Sequence, residues 1–571
     1  MAPCKTWQVR CVLCAGLLLA AALIWLCISL FVPRECARGH FAHAAVSADS
    51  LRCSEIGRDI LQQGGSAVDG AIASLLCTSL VNPQSMGLGG GSIFTIRDKT
   101  GKVRVFSSRE TVPLSFKPDL LNDCPTTFKL VPGIQWTGVP GELRGYEEVH
   151  RRYGKLPWAK LFEPTIKLAR EGFPLPPFLE HLLTNPIIRD LVKGSSLCEL
   201  FCNNNKTVLS KGDTLKFPKL AETMEIVAEQ GAFAFYKGKI GSDLIEDIKA
   251  AGGTITMEDL RTFRLRMGDA WTIPIGDSLL HIPPPPAGGA TLALILNLMK
   301  GFNLSAKSIE GDQKIQTYHR YVEALKFANG QKGSIKDPQY TDTTTAAHLI
   351  DSHYADRIRE RISPDRTHNN SYYNVKPSSD HYGTTHVSVL AEDGSAVSVT
   401  STINQIFGAS VYSPRTGILL NNELIDFCGR AASLRPVSFQ INLVEFFPPG
   451  EQPPSSMAPA LLESKSGDII VIGGSGGSMI TTAMASSLIN HLWLGKSLGD
   501  AIAAPVVFVD AKNNLKFEPG FEGYVIDGLK ALGHKVEDFE YFFNVVNAVA
   551  KENRCITAVS DRRKMGQAAG Y

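Results

Sequence analysis

A hydroxyl residue directly after a glycine, at the mouth of a strand-like run, is the first place this chain could do chemistry: Tyr382-Gly383-Thr384-Thr385-His386-Val387-Ser388-Val389. By itself a Thr opening a strand serves β-propensity or a local hydrogen bond. Cutting the Gly383–Thr384 bond changes that. Thr384 then carries a free α-amino group with a reference pKa of about 7.7–8.0, so one residue supplies both nucleophile and general base near working pH. A lysine amine, at about 10.4, needs a large shift first.

A second candidate is Gly473-Gly474-Ser475-Gly476-Gly477, which satisfies G-x-S-x-G after the apolar run DIIVI and before a helical pattern, the setting of a nucleophile elbow. Asp510 or Asp527 with His534 would complete a serine α/β-hydrolase triad in the required chain order. The competing reading is a glycine-dense turn whose backbone N–H groups form an oxyanion hole. Spacing alone leaves both open. No cofactor or metal motif is present: His281 runs straight into Pro283–Pro286 with no second ligand at helical spacing. The glycines Gly89–Gly91 precede a strand-like run, whereas a dinucleotide site needs strand, glycines and helix in that order; close backbone packing is the expectation there.

The elements that must position these residues are partly readable. Ala44–Leu80 has helical spacing broken at Gly64-Gly65, with Ser66 as N-cap, and residues 140–330 read mostly as helices. ADRIRERIS near Arg359 reads as a solvated, charge-alternating helix face. Farther on, THVSVL and AVSVTST alternate with period two around Glu392-Asp393-Gly394, a hairpin signal. LLESKSGDIIVIGG suggests a second strand pair turning at Ser466-Gly467, followed by a helix in SMITTAMASSLINHLWLG. Strands flanked by helices imply a mixed α/β body of stacked layers.

With 58 basic and 56 acidic residues in 571, the net charge of +2 gives no field for nucleic acid, and 44% hydrophobic with 20% charged residues is a globular composition. Cys11–Val32 is an uncharged run long enough to span a bilayer as one helix, longer than the apolar region of a cleaved signal. The flanking charges are nearly balanced, Lys5 and Arg10 against Arg34 and Arg38. The sequons at Asn205, Asn303 and Asn369 place the body on the secretory side. Five of the twelve cysteines (Cys4, Cys11, Cys14, Cys27, Cys36) lie at or near the run. Among the others, Cys198 with Cys202 and Cys53 with Cys77 are the candidate disulfides, Cys77 being alternatively a buried small apolar residue.

TTHVSV with STIN, NNELIDF, PSSM, GGSGGS and the C-terminal SDRRKMGQAAGY resembles the gamma-glutamyltransferases, N-terminal-nucleophile hydrolases also called glutathione hydrolases. The likeness runs from about Ala44 to Tyr571. NPQSMGLGGG, PPPPAGGA and VYSPRTGI look most like the family's type 5 branch, whose members hydrolyse leukotriene C4.

The resemblance implies an α+β, four-layer αββα sandwich and a precursor that cleaves itself before Thr384. The family register, with His two residues after the nucleophile, selects Thr384 over Thr385. The segments are then a tail (1–10), a transmembrane signal anchor (11–32), a stalk (33–43), a heavy chain (44–383) and a light chain (384–571) paired as a heterodimer at the plasma membrane, type II, with the catalytic body outside.

Thr402 would orient Thr384, and Gly476 and Gly477 would supply the oxyanion hole. Asn404, Glu423 and Asp426 would hold a substrate α-ammonium; Arg109, Ser455 and Ser456 its α-carboxylate, for which a guanidinium fork is the better match. Substrates would be glutathione, its S-conjugates and leukotriene C4, with water, amino acids or dipeptides as acceptors and no cofactor. Two features depart from many relatives: Ile425 stands where they have the first of two aspartates, and His381-Tyr382 precede the cleavage position. A serine hydrolase using Ser475, or a cell-surface protein that binds glutamyl groups without maturing, are the alternatives.

Overall fold

The computed structural model describes residues 36, 39–117, 119–125, 130–341, 346–375, 383–429, 447–538 and 544–571. Two antiparallel sheets lie face to face. The first has seven strands in the order Ala569–Gly570, Ala45–Ser47, Thr385–Leu390, Ala396–Thr402, Gly91–Arg97, Val103–Ser107, Arg266–Asp269. The second has six: Cys555–Val559, Val545–Glu552, Ile469–Ser475, Ala460–Ser464, Ser278–Ile282, Trp271–Ile275.

Side-chain alternation builds the layers. Ile469 and Val471 join Leu390, Ala396, Leu461 and Val549 in the core between the sheets. Their neighbours Ile470 and Ile472 point the other way, into helices Gly289–Lys300, Gly311–Gly330 and Ile480–Leu492. On the far side Val387, Val389, Val397 and Val399 pack under helices Leu51–Gln62 and Ala67–Val81. The result is helix, sheet, sheet, helix, the four-layer α+β sandwich expected.

The hairpin at Glu392-Asp393-Gly394 forms with Gly394 at φ +81°, and the strands around Ser466-Gly467 pair as read. Ser66 caps its helix through a reciprocal box with Asp69. Two readings need correction. Ala45–Ser47, at the start of the stretch read as helical, is a strand, because it is inserted between Thr385–Leu390 and the C-terminal Ala569–Gly570. Arg266–Ile282, within the stretch read mostly as helices, supplies three strands that complete both sheets.

Four disulfides are present among the described residues. Cys53–Cys77 and Cys198–Cys202 match the sequence reading; Cys36–Cys555 and Cys124–Cys428 were not foreseen. No helix among the described residues is long and apolar enough to cross a membrane; Cys11–Val32 and His381-Tyr382 lie outside the described residues.

Candidate active site

Thr384 sits at the lip of its strand with φ +82°, a region that a β-branched residue enters only under strain, on the order of 1–3 kcal/mol. Its Oγ1 lies 3.1 Å from Thr402 Oγ1 on the neighbouring strand, and Thr402 Oγ1 also accepts the Asn404 N–H at 2.8 Å. The adjacent ladder rung pairs Ser401 with Thr385, so strand register is what brings the two hydroxyls together.

The chain is continuous through Gly383, and the carbonyl of Gly383 accepts the Gly476 N–H at 3.0 Å. Gly476 adopts φ +115° and Gly477 φ +57°, so the turn after Ser475 is open to glycine and strained for other residues. A Cβ on Gly383 would fall 1.6 Å from the Asn404 carbonyl oxygen. The bond before Thr384 therefore lies between the Asn404 backbone and a glycine amide aimed at its oxygen, the geometry of an oxyanion hole.

Beyond Asn404 is a buried charged cluster. Arg109, 1% exposed, spends its N–H groups on the carbonyls of Pro453 and Pro454, on Asp426 Oδ2 at 2.7 Å and on Glu423 Oε1 at 2.6 Å. Asn404 Nδ2 donates to Asp426 Oδ1 at 3.0 Å and to the Asn422 carbonyl at 3.2 Å. Burial works against the Arg109 charge, but attraction from Glu423, Asp426 and Glu110 prevails and its pKa is raised. Burial also raises Glu423 well above the carboxylate range despite Arg109, and pushes Glu110 up to about 8.

The expected binding residues Arg109, Asn404, Glu423 and Asp426 are thus brought together. One detail differs from expectation: Arg109 is paired with the carboxylates assigned to an ammonium. Ser455 N–H donates to the Pro286 carbonyl, and Ser455 Oγ accepts the Met457 N–H at 3.1 Å. Ser456 backs onto Gly288, whose absent side chain makes room for it. Ile425 is buried with Val112, Trp136 and Phe427.

The elbow triad is not assembled, which corrects that alternative. Ser475 is fully buried at the end of its strand. His534 bonds His319 Nδ1 and Lys326 Nζ, Asp510 accepts the N–H groups of Lys512 and Asn514, and Asp527 pairs with Lys530.

Sequence reasoning missed three groups. Asp49 and Lys564 reach the underside of Thr384 from opposite ends of the chain. Glu142, pushed up to about 7 by burial, lies beside Tyr146, Ser401 and Ser92. His319, Glu323 and His534 form the one metal-capable group found among the described residues. Its atoms are engaged already, His319 with His534 at 2.8 Å and Glu323 with Tyr373 at 2.7 Å, and the Lys326 amine donates into it. Asp49 and Lys564 are 515 residues apart, and the other two groups each join an i, i+4 pair on one helix, Glu142 with Tyr146 and His319 with Glu323, to residues distant in the chain, so the spacing within each helix does not by itself mark them.

Sequence and fold comparisons identify relatives of the whole chain. Residues 53–571 match the family model for gamma-glutamyltranspeptidase. The chain is 48% identical over 574 residues to glutathione hydrolase 5 proenzyme of Rattus norvegicus, covering 98% of each, and 48% identical to that of Homo sapiens, covering 94% of each. Among solved structures, the fold matches cephalosporin acylase from Bacillus halodurans with TM-score 0.81 at 22% identity, over 94% of this chain and 98% of the other. Helicobacter pylori gamma-glutamyltranspeptidase matches with TM-score 0.52 at 25% identity, over 59% of this chain and 96% of that one.

A sandwich of this kind, with a strand-leading Thr under a glycine amide, defines the N-terminal-nucleophile hydrolases. The chain belongs to the gamma-glutamyltranspeptidase family and is an enzyme of that type.

Proposed function

We propose that this chain is the precursor of an extracellular, membrane-anchored γ-glutamyl hydrolase and transpeptidase that cuts itself between Gly383 and Thr384, leaving residues 1–383 and 384–571. The observation that carries this reading is the Gly476 N–H seated on the Gly383 carbonyl while Thr384 Oγ1 faces Thr402 Oγ1. In maturation the Thr384 hydroxyl attacks the Gly383 carbonyl carbon and the amide nitrogen takes the proton, converting the peptide to an ester. Water then hydrolyses the ester, freeing the Gly383 carboxylate, the Thr384 hydroxyl and the Thr384 amine. The strain at Thr384 is released in the same event.

The mature site reuses these parts. Thr384 attacks the γ-carbonyl of a γ-glutamyl amide, Gly476 and Gly477 stabilise the oxyanion, and the α-amine passes the hydroxyl proton to the leaving amine. Water releases glutamate from the resulting ester, or an amino acid or dipeptide takes the group. Recognition is an exchange of ion pairs: the substrate α-carboxylate takes Arg109 with Ser455 and Ser456, and its α-ammonium takes Glu423, Asp426 and Asn404. Because this pocket reads only the glutamyl end, glutathione, its S-conjugates and leukotriene C4 form the substrate class.

The uncharged run Cys11–Val32, four disulfides and exposed Asn205, Asn303 and Asn369 support an anchored body in an oxidising compartment. The test is amine release from a γ-glutamyl anilide. Thr384→Ala is expected to be uncut and inactive, whereas Ser475→Ala is expected to be cut and to lose less than about tenfold. An active, uncut Thr384→Ala would defeat the reading.

A further inference from the structure

The C-terminal segment folds back beneath the nucleophile. Lys564, 5% exposed, closes the turn Arg562–Lys564. Its Nζ donates to the Thr384 carbonyl at 2.6 Å and Asp49 Oδ2 at 2.8 Å, and reaches Ser475 Oγ at 3.3 Å. Three protons meet three acceptors. Asp49, 3% exposed, also accepts Thr385 Oγ1 at 2.5 Å and Asn547 Nδ2 at 2.8 Å. Asn547 in turn holds the His386 carbonyl at 2.8 Å and the Asp561 N–H at 3.0 Å. Every residue from Thr384 to His386 is thus tied to a network anchored by Asp49 and Lys564.

We propose that Lys564 is a positioning residue for Thr384: it fixes the peptide plane of the nucleophile and, after scission, lowers the basicity of the new α-amine, with Asp49 opposing it. This rests on Thr384 becoming a chain terminus. The amine and the carbonyl oxygen that Lys564 grips belong to one residue, so covalent geometry puts the two nitrogens within about 6 Å. A like charge at that range disfavours protonation, keeping the base free at neutral pH. The charged and titratable groups facing the site are Lys564 on the C-terminal turn, Asp49 after the first strand, His386 on the nucleophile's own strand, Asp561 behind Asn547, and the Arg109, Glu423 and Asp426 cluster beyond Asn404. Among the described residues, Lys564 is the one of these that bonds Thr384 itself through a charged group.

The test is the pH dependence of kcat/KM for self-cut protein carrying Lys564→Met or Asp49→Asn. Lys564→Met is expected to cut slowly, to lose kcat about tenfold or more with KM little changed, and to move the acid limb up by about one pH unit. Asp49→Asn is expected to move that limb down. Limbs that stay in place in both variants would overturn the proposal, and if Lys564→Met does not fold, the Asp49→Asn limb decides alone. N-terminal sequencing of the wild type separates the two failures: a light chain beginning at Thr384 with unmoved limbs sinks only this inference.

A separate observation carries a second inference. Cys36–Cys555 and Cys124–Cys428 each join residues on opposite sides of Gly383, while Cys53–Cys77 and Cys198–Cys202 do not. Cys428 follows the turn Glu423–Phe427, which carries two of the pocket carboxylates and packs with Cys428 against Val112, Trp136 and Phe447. We infer that the cut enzyme remains one covalent unit and that Cys124–Cys428 clamps the substrate-binding turn of the light chain to the heavy chain.

Wild-type protein is expected to run as one band without reductant and two with it. Cys36→Ser/Cys555→Ser should keep the single unreduced band, and adding Cys124→Ser/Cys428→Ser should split it and raise KM severalfold. Two bands without reductant would overturn the inference, and one band under both conditions would instead contradict self-cleavage.

Discussion

Gly383 shows how little freedom the residues at the proposed cut have. A methyl group there would collide with the Asn404 carbonyl oxygen, a backbone atom that cannot swing aside. Gly383→Ala is therefore expected to stay uncut on a denaturing gel and to melt below the Thr384→Ala precursor, because the backbone must shift to admit the methyl group; cleavage at the wild-type rate would refute the placement. Arg109 is equally constrained, because its Nε and both Nη groups have fixed acceptors. Lysine offers one nitrogen and cannot reproduce the fork. Losing two charge-assisted bonds, about 3 kcal/mol in total, corresponds to a rise in KM of about 100-fold for Arg109→Lys, with a smaller change in kcat. An unchanged KM would remove Arg109 from substrate binding. The residues that the fold gathers around Thr384 and Arg109 were legible in sequence because each sits in a short motif. Their partners were not: nothing local distinguishes Lys564 from the two arginines before it, or marks Asp49 as the acceptor of three donors.

Among the elements, Gly89–Gly91 behave as packing glycines. Side chains there would strike the Leu419, Thr402 and Ser108 carbonyls, so this run lets three segments cross beside the Thr384 and Thr402 hydroxyls. The Gly90 carbonyl accepts the N–H groups of Gly141 and Glu142, starting helix Glu142–Tyr153 against the same crossing. That start buries Glu142 completely, and burial raises its pKa from the usual carboxylate value to about 7. The folded state thus holds a proton that the unfolded state gives up, so its contribution is full below about pH 4.5 and fades as pH rises through about 7. The slope over that window is at most about 1.4 kcal/mol per pH unit. Thermal melts of the uncut precursor should show Glu142→Gln gaining on the parent protein between pH 5 and 8; a constant difference across that range would contradict the assignment. His386 has the opposite sign. Burial lowers it to about 3, so it favours unfolding as pH falls below about 6.5.

Across the whole molecule, the legible features were local: the hairpin, the strand pair at Ser466-Gly467, the Ser66 cap and two short-range disulfides. What escaped were pairings over most of the chain length, such as Ala45–Ser47 with Ala569–Gly570 and Cys36 with Cys555, since alternation identifies a strand but not its neighbour. Those closures bring Asp49 and Lys564 to the Thr384–Thr385 segment, whose environment is therefore built from the residues after strand Ala45–Ser47, the central hairpin and the turn Arg562–Lys564 together. The proposed activity depends on the backbone opening at one bond. N-terminal sequencing of the smaller polypeptide from active protein measures it directly: Thr384 as the first residue is the predicted result, and active protein consisting of an intact chain, or a light chain beginning elsewhere, would contradict it.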